Sequence, residues 1–434
     1  MSSVQYYLIA GRGCRGEANS SSNYINVIGG FVGVEGTGFV VNGSAFYFNG
    51  FNAYWLMLVA ANANATANAT ATANANATAT ATAPQRGEVT AALEQAAGHG
   101  LTLGRTWAFS DGGAWPLQYS PGSYNEAMFQ GLDFVVSEAG KHGIYLILSL
   151  VNNYKDFGGR PQYVEWARDR GENVTSDDDF YRNEIVKGYY KNHVKTVVTR
   201  VNTISRVAYR DDPTILAWEL INEPRCEDDL SGATLQGWIA EMGGYVKSID
   251  RAHLVEIGME GFYGASSQFR KQFNPNGLVF GTDFVPNNQV QGIDFATIHA
   301  YPGIWLSNWT NEEQLRYLRD WTQAHVEDSA ALVKKPLLFT EFGKSLRDSG
   351  SGVPQRDALL EAAFDSIYGS AQNGGPLAGG LFWQLLTDGM DGLKDGYEII
   401  LSLNSSTSKI ISNQSLRLWN LVGKHQAIST ETRG

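Results

Sequence analysis

The chain has 434 residues, of which 43% are hydrophobic, and it carries a formal net charge of −11. This length allows one large domain or two ordinary ones, each with a sizeable core. The acidic balance disfavours nucleic-acid binding, which requires basic patches, and is compatible with a neutral substrate.

Targeting and redox signals are sparse. The two cysteines, Cys14 and Cys226, cannot build a disulfide framework, and their spacing matches no zinc pattern. No apolar run reaches the roughly 18 residues that a membrane helix needs. The N-terminus also lacks the long apolar region of a signal peptide. Sequons in contrast favour secretion, and five of them begin at Asn42, Asn173, Asn308, Asn404 and Asn413.

The first part of the chain shows two irregular stretches. Residues 1–30 have no clear period and predict an irregular N-terminal segment. Residues 11–16 match G-x-G-x-x-G, but a loop-like sequence follows where a dinucleotide site would need a helix. Residues 61–83 alternate Ala with Asn or Thr. Because this repeat has no bulky side chain to build a core, it predicts a solvated low-complexity insert.

Eight apolar runs typical of buried β-strands follow along the chain. They cover residues 45–55, 101–109, 144–153, 215–223, 254–261, 293–302, 336–343 and 379–386. Amphipathic helical patterns lie between them, at residues 125–143, 237–250, 312–333 and 356–372. This alternation predicts an α/β fold, a single (β/α)8 TIM barrel domain over residues 31–430 that contains the insert. The alternative is an open doubly wound sheet, which lacks a glycine-rich phosphate loop after its first strand.

Polar or aromatic side chains occur at the C-terminal end of almost every predicted strand. They are Arg105, Trp107, Asn152, Asn153, Asn222, Glu223, Glu260, His299, Tyr301, Glu341, Trp383 and Gln384. Any one of them could be an ordinary polar or aromatic residue at a loop edge, but this interpretation fits poorly for seven of eight strands. Barrel active sites lie on that face.

Glu223 and Glu341, on the fourth and seventh predicted strands, face each other across the barrel mouth. Glycoside hydrolysis requires such a pair, with one carboxyl protonated and the other ionised, and a separation of about 5–5.5 Å implies the retaining mechanism. A metal site would need further ligands, and His299 is the one candidate for a third. We therefore expect no metal and no other cofactor.

Five motifs together resemble glycoside hydrolase family 5, and most closely its plant-type endo-β-1,4-mannanases. The motifs are GRTWAFSDGG, WELINEPRC, IHAYP, FTEFGKS and GLFWQLL, and the resemblance extends over about residues 31–425. It implies retaining hydrolysis of internal β-1,4-mannosidic bonds in mannan, glucomannan and galactomannan. It also implies a secreted protein that acts on cell wall polysaccharide.

The resemblance implies a role for each site residue. Glu223 would be the acid/base and Glu341 the nucleophile, while Asn222 would bind the sugar 2-hydroxyl and Arg105 would hold the nucleophile. We expect partial desolvation to raise the pKa of Glu223 and Arg105 to keep Glu341 ionised.

The remaining residues implied by the resemblance are a hydrogen-bonding pair and aromatic side chains. His299 and Tyr301 would complete the network, with Tyr301 touching Glu341. Trp383 would be the platform under the cleaved sugar and Trp107 would line the cleft. We expect Trp305 to face the cleft too, and Trp166 to be a packing residue.

Two alternatives to a mannanase stay open. The first is another retaining β-1,4-glycanase of the same barrel clan, such as an endoglucanase. The second is a non-catalytic glycan-binding barrel, although that would require the loss of an acid and both Glu223 and Glu341 are present.

Four other polar features have a simpler interpretation. We expect His193 to be a helix-surface or packing residue, Cys226 a small loop residue, and residues 177–179 (DDD) a helix N-terminal region. Glu260 either binds substrate or makes a structural hydrogen bond.

Overall fold

The structure is a computed structural model that describes residues 27–61 and 86–431. Most of the predicted irregular segment, with the glycine motif at residues 11–16 and Cys14, lies outside the described residues. The predicted insert also lies outside them, apart from Ala61.

Thirteen strands within the described residues form three sheets, the largest of which is the predicted barrel. The strands are β1 (Val32–Glu35), β2 (Gly38–Val41), β3 (Ser44–Phe46), β4 (Phe48–Asn52), β5 (Leu103–Trp107), β6 (Gln118–Ser120), β7 (Ser123–Tyr124), β8 (Tyr145–Ser149), β9 (Ile215–Glu219), β10 (Leu254–Glu256), β11 (Ala296–Ala300), β12 (Leu337–Phe342) and β13 (Leu377–Phe382). Eight parallel strands pair in the order β10-β9-β8-β5-β4-β13-β12-β11.

Backbone hydrogen bonds close this sheet into a ring. The Asp294 N–H donates to the Val255 carbonyl at 2.8 Å, and the His299 N–H donates to the Glu260 carbonyl at 2.9 Å. These two bonds join the β10 side of the sheet to the β11 side. The predicted (β/α)8 barrel is therefore confirmed.

Helices surround the barrel, and the four predicted helical patterns correspond to α3, α7, α10 and α11. The helices are α1 (Leu56–Ala60), α2 (Arg86–Gly98), α3 (Glu126–Lys141), α4 (Gly159–Asp169), α5 (Asp179–Arg182), α6 (Glu184–Val198), α7 (Ala233–Ile249), α8 (Phe284–Gln289), α9 (Pro302–Trp305), α10 (Asn311–Asp328), α11 (Val353–Gln372) and α12 (Ser406–Glu431). Local chemistry fixes several helix starts. The Asn125 side chain caps α3, and Thr310 forms a capping box with Glu313 at the start of α10.

Every residue of the eight barrel strands is buried, which explains their continuous apolar sequence. The strands are shorter than the predicted runs, and seven of them lie within those runs. The eighth, β13, spans Leu377–Phe382 instead of residues 379–386. Gly379 and Gly380 lie inside it, because a Cβ at Gly379 would approach the Phe48 carbonyl oxygen to 2.5 Å. Such glycines weaken the sequence signal for a strand.

A small antiparallel sheet, β1–β3, was not predicted, and it covers the N-terminal end of the barrel. The Phe39 ring lies 5.3 Å from the ring of Phe48 and 5.3 Å from that of Phe295, centroid to centroid. Both partners lie at strand starts. Because this end is covered, the C-terminal mouth is the open one.

Three features that the sequence analysis interpreted as structural have structural positions in the fold. His193 is fully buried on α6, and its ring stacks 6.0 Å from that of Tyr124. Cys226 is a buried loop residue with a free thiol. The acidic run precedes α5, which begins at Asp179. No described helix is long and apolar enough to cross a membrane.

Candidate active site

An open cleft of about 400 Å³ lies at the C-terminal mouth of the barrel. Six predicted site residues line it: Trp107, Asn222, Glu223, Tyr301, Glu341 and Trp383. The other two, Arg105 and His299, are fully buried behind them. The fold therefore brings together all eight residues that the sequence singled out.

Arg105 in β5 organises the floor of the cleft. Its five guanidinium N–H groups all have acceptors, which are both oxygens of Glu219 (2.5 and 2.7 Å) and one oxygen each of Asn222 (2.7 Å), Asn52 (3.0 Å) and Glu341. Since an arginine has five such donors, none is left unpaired. One guanidinium group thus fixes four side chains from three strands or their ends relative to one another.

Glu341 in β12 is 4% exposed and accepts a hydrogen bond on each oxygen. One oxygen accepts from Arg105, and the other accepts from the Tyr301 hydroxyl at 2.5 Å. The expected contact between Tyr301 and Glu341 is confirmed. Both oxygens are therefore held in fixed directions at the cleft surface.

Glu223 lies just beyond β9 in a left-handed conformation, with φ of 50°. Its N–H donates to the Gly258 carbonyl at 2.8 Å, and its Oε1 lies 2.7 Å from His299 Nδ1. Gly258 itself has φ of 93°, and a Cβ there would lie 2.0 Å from the Ile221 carbonyl oxygen. The turn that presents Glu223 therefore depends on a glycine beneath it.

Asn222 is held at both ends of its amide. Its oxygen accepts from Arg105, and its NH₂ group donates to Asn152 Oδ1 at 3.0 Å. Because the amide is fixed while its surface faces the cleft, it presents a defined hydrogen-bonding edge beside Glu223.

The two carboxylates are close. One oxygen of Glu223, one of Glu341 and one ring nitrogen of His299 all lie within 4.8 Å of one another. This set could ligate a metal ion, but both oxygens of Glu341 already accept hydrogen bonds from Arg105 and Tyr301. The absence of a metal stays a prediction.

Ionisation of the pair differs from the expectation. Burial raises the pKa of Glu223, but the hydrogen bond and charge of His299 outweigh it, so this pKa is lowered. Burial and the charge of Glu223 together raise the pKa of Glu341 despite the attraction of His299 and Arg105. The expected direction for Glu223 was therefore wrong. Arg105 lowers the pKa of Glu341 as expected, but burial and the charge of Glu223 outweigh it.

The lowered pKa of Glu223 depends on the ionisation of His299. Burial alone lowers its pKa, but the charge of Glu341 and the bond to Glu223 raise the pKa of His299 overall. A protonated His299 stabilises the ionised form of Glu223 directly. The protonation of His299, at the end of a different strand, cannot be predicted from the sequence.

A second pair of acids lies beneath Arg105. Glu219 in β9 and Glu256 in β10 are neighbours in the sheet and fully buried. Arg105 lowers the pKa of Glu219 although burial opposes it. Burial and the charge of Glu219 raise the pKa of Glu256 well above its usual range. Glu256 Oε2 accepts from the Gly258 N–H, while Oε1 has no donor among the described residues. Burial beside Glu219 therefore favours the neutral form of Glu256.

Aromatic rings form one wall of the cleft. The Trp383 and Tyr54 rings stack at 5.8 Å and 12°, and Trp107 lies 6.3 Å from Trp383. Trp305 lines the cleft as expected. The predicted packing role of Trp166 is also confirmed, because this side chain is buried in the core.

Arg225, Glu260 and Tyr154 also line the cleft, although they are not among the eight predicted site residues. Arg225 donates to both oxygens of Glu260, at 3.0 and 2.8 Å, and its guanidinium carbon lies 3.7 Å from the Phe280 ring centroid. Glu260 thus makes a structural ion pair, but it also lines the cleft, as does Tyr154. Burial and the charge of Glu223 raise the pKa of Glu260 to about 7. The signal for Arg225 was its position two residues after Glu223.

A closed (β/α)8 barrel with two close carboxylates at its C-terminal mouth and an aromatic wall beside them defines a barrel glycoside hydrolase. The chain belongs to the glycoside hydrolase family 5 β-mannosidase-like family, whose family model matches residues 29–390.

Relatives from plants and solved structures agree with this membership. The chain is 57% identical to mannan endo-1,4-beta-mannosidase 1 of Oryza sativa subsp. japonica, over 90% of this chain and 86% of that protein. It is 52% identical to mannan endo-1,4-beta-mannosidase 7 of Arabidopsis thaliana, again over 90% and 86%. The endo-beta-1,4-mannanase of Thermotoga petrophila matches with a TM-score of 0.72 and 30% identity, over 87% of this chain and 78% of that one. The endo-1,4-beta-mannanase of Rhizomucor miehei gives 0.70 and 28%, over 90% and 99%.

Proposed function

We propose that this protein hydrolyses internal β-1,4-mannosidic bonds in mannan, glucomannan and galactomannan with retention of configuration, with Glu341 as the nucleophile and Glu223 as the acid/base. The observation that carries the proposal is the proximity of the two carboxylates, whose oxygens approach within 4.8 Å. Retaining enzymes hold their carboxyl groups about 5–5.5 Å apart, whereas inverting enzymes need about 6.5–9.5 Å to admit water. The plant relatives support the choice of mannan.

The first step forms a covalent glycosyl-enzyme. Glu341 attacks the anomeric carbon and the bond to the leaving oxygen breaks, while Glu223 transfers its proton to that oxygen. Arg105 and Tyr301 hold the two oxygens of Glu341 and orient the attack. The proton that Glu223 needs is available at His299, 2.7 Å away.

The second step releases the sugar. Glu223 removes a proton from water, the water oxygen bonds to the anomeric carbon, and the carboxylate of Glu341 leaves. Two inversions at one carbon give net retention. Asn222 binds the sugar 2-hydroxyl through both steps, and the contacts of its amide with Arg105 and Asn152 support this role.

Trp383 supplies the platform for the sugar that is cleaved. Its ring stacks on Tyr54 and is flanked by Trp107, so its position is fixed before substrate binds. Pyranose rings present apolar C–H faces, which suit such an aromatic surface.

Initial rates on galactomannan, glucomannan and carboxymethyl-cellulose test this proposal, together with the anomeric configuration of the first products. We expect turnover of the two mannans and β-configured products. Dominant turnover of the cellulose derivative would indicate an endoglucanase, α-configured products would exclude retention, and no turnover at all would leave a glycan-binding barrel.

We propose in addition that the protein is secreted. Five sequon asparagines support this, because all of them are exposed: Asn42, Asn173, Asn308, Asn404 and Asn413. Expression in plant cells followed by N-glycosidase treatment tests it. A faster-migrating band after treatment is expected, and an unchanged band from the cell interior would contradict it.

A further inference from the structure

A second groove, of about 440 Å³, lies outside the cleft on the outer wall of the barrel. We call it the α10 groove, and it is lined by Gln272, Phe273, Trp309, Glu313, Arg316, Tyr317 and Asp320. Four of these residues belong to the first three turns of α10. Since α10 follows the loop after β11, the groove lies on the mouth side of the barrel wall.

Aromatic side chains form the base of the α10 groove. Trp309 is 46% exposed although it is a large apolar residue. Its ring lies 6.3 Å from the Tyr317 ring at an angle of 87°, and the Tyr317 hydroxyl donates to the Phe273 carbonyl at 2.9 Å. The tyrosine is thereby fixed, and it supports Trp309 from the side. The exposed face of Trp309 is a rigid apolar surface.

Exposed polar side chains surround this surface. Gln272, Arg316 and Asp320 are exposed, and their side chains make no hydrogen bond or ion pair within the described part of the chain. Together they offer both donors and acceptors. An apolar ring face bordered by free donors and acceptors matches a pyranose, which has apolar C–H faces and hydroxyl groups at its edge.

The α10 groove is connected to the catalytic cleft by a single loop. Trp305 lines the cleft, and Trp309 lies four residues later, with its N–H donating to the Leu306 carbonyl at 2.9 Å. Asn276 donates to the Trp305 carbonyl at 2.9 Å and joins the neighbouring loop to the same place. Ile304, also at the cleft, is 60% exposed. A short loop, residues 306–308, therefore links the cleft to Trp309.

We propose that the α10 groove is a secondary sugar-binding site that holds a mannan chain outside the cleft. The choice of mannan rests on the proposed function. A site of this kind increases the affinity of the enzyme for polymer, because a chain bound at two places on one molecule dissociates more slowly than a chain bound at one. It contributes nothing to a substrate that is too short to reach it.

The test is retardation of the protein in a gel that contains soluble galactomannan, with Glu341→Ala in every variant to prevent hydrolysis. The protein is tested both with and without N-glycans, because Asn308 directly precedes Trp309 and a glycan there could cover the groove. The site requires retention to depend on Trp309 in both forms. Trp309→Ala should weaken retention about fivefold to tenfold, the loss expected for one stacked ring. The matched control is Trp419→Ala, which removes an exposed tryptophan from α12 near the opposite end of the barrel and should change nothing.

A second variant and a second readout keep folding separate from binding. Arg316→Ala with Asp320→Ala removes only exposed side chains, and it should weaken retention in the same direction. The second readout uses active protein in which Glu341 is unchanged. In this protein, Trp309→Ala should lower the ratio of the rate on insoluble mannan to the rate on mannotetraose. If both groove variants are retained as strongly as Trp419→Ala, the proposed site is wrong. It is also wrong if galactomannan does not retard the protein that carries Glu341→Ala alone. If the unmodified enzyme hydrolyses mannan in either case, the proposed function stands without the second site.

Discussion

The two buried glutamates beneath Arg105 should respond in opposite ways to the same conservative change. Glu219→Gln removes a charge that contacts Arg105 at 2.5 and 2.7 Å, and it places an amide N–H against a guanidinium N–H. Glu256→Gln replaces a carboxyl that is already neutral. The amide can still donate to Glu219 and accept from the Gly258 N–H.

The contacts of Glu219 with Arg105 determine how much Glu219→Gln should destabilise the protein. Losing one partner of a buried, hydrogen-bonded charge pair costs about 3–5 kcal/mol, and we expect the free energy of unfolding of Glu219→Gln to fall by that amount. Arg105 also positions Glu341 and Asn222. Since a misplacement of about 1 Å at a reacting group costs about 10²-fold, kcat/KM on mannan should fall at least that much. The activity of Glu256→Gln should stay within about threefold of the parent, because no charge changes.

The pH dependence of stability gives an independent readout for Glu256. Its pKa in the folded protein is raised above the ordinary value of 4.5. The stability that this neutral carboxyl provides is therefore fully present below about pH 4.5 and is lost as the pH rises toward the folded-state pKa. Glutamine cannot ionise. The variant should gain stability relative to the parent above that pH, by up to about 1.4 kcal/mol per pH unit.

Urea unfolding of both variants and the parent at several pH values, with kcat/KM on galactomannan, measures these quantities. If Glu256→Gln loses as much activity as Glu219→Gln, the reasoning is refuted, because residue 256 would then carry a charge that activity needs. A stability difference between Glu256→Gln and the parent that does not change with pH would refute the neutral state of Glu256.

Three further predictions concern the catalytic residues and the insert. Glu341→Ala should lose several orders of magnitude in turnover while its circular dichroism is unchanged, and activity within tenfold of the parent would exclude it as the nucleophile. Glu223→Ala should retain slow turnover of substrates with good leaving groups, and azide should restore the rate with a β-configured adduct; an α-configured adduct would mean inversion. Replacing residues 61–83 by a four-residue polar turn should leave the melting temperature unchanged or higher, because loop length costs little and the flanking Arg86 Nε lies 3.4 Å from the Ala60 carbonyl. Loss of activity on short manno-oligosaccharides would show instead that the insert is part of the cleft.

Sequence predicted the barrel well because its strands are buried on both faces. Continuous apolar runs such as residues 144–153 are typical of parallel strands when helices separate them. The same regularity located the site, since parallel strands place their C-terminal ends on one face. Glu223 and Glu341 could thus be paired although 118 residues separate them (341 − 223). The motifs then limited the chemistry to one family.

Contacts across the barrel could not be predicted in this way. The ion pair of Arg225 with Glu260 depends on how two loops approach each other, and the neutral state of Glu256 depends on its burial against Glu219. Sheet β1–β3 was missed because its strands have three or four residues and little alternation. Several strands end earlier in the structure than predicted. Residues such as Asn152 lie beyond the strand end but still form an isolated β-bridge, so the sequence pattern extends past the strand.

The unexpected pKa direction of Glu223 follows from one proton, whereas the pKa of Glu341 is raised by burial and by the charge of Glu223. His299 Nδ1 and Glu223 Oε1 are 2.7 Å apart, so a single proton between them determines whether the pair is charged or neutral. Water in the open cleft favours the charged pair, with the proton on His299 and a lowered pKa for Glu223. A sugar that covers the cleft removes this water, and desolvation disfavours the charged pair more than the neutral one. The proton then belongs on Glu223, next to the leaving oxygen, and the loss of the imidazolium charge leaves Arg105 as the cation that faces Glu341. We therefore expect substrate binding to move this proton to Glu223, which would reconcile the proposed acid/base role with a lowered pKa in the empty cleft.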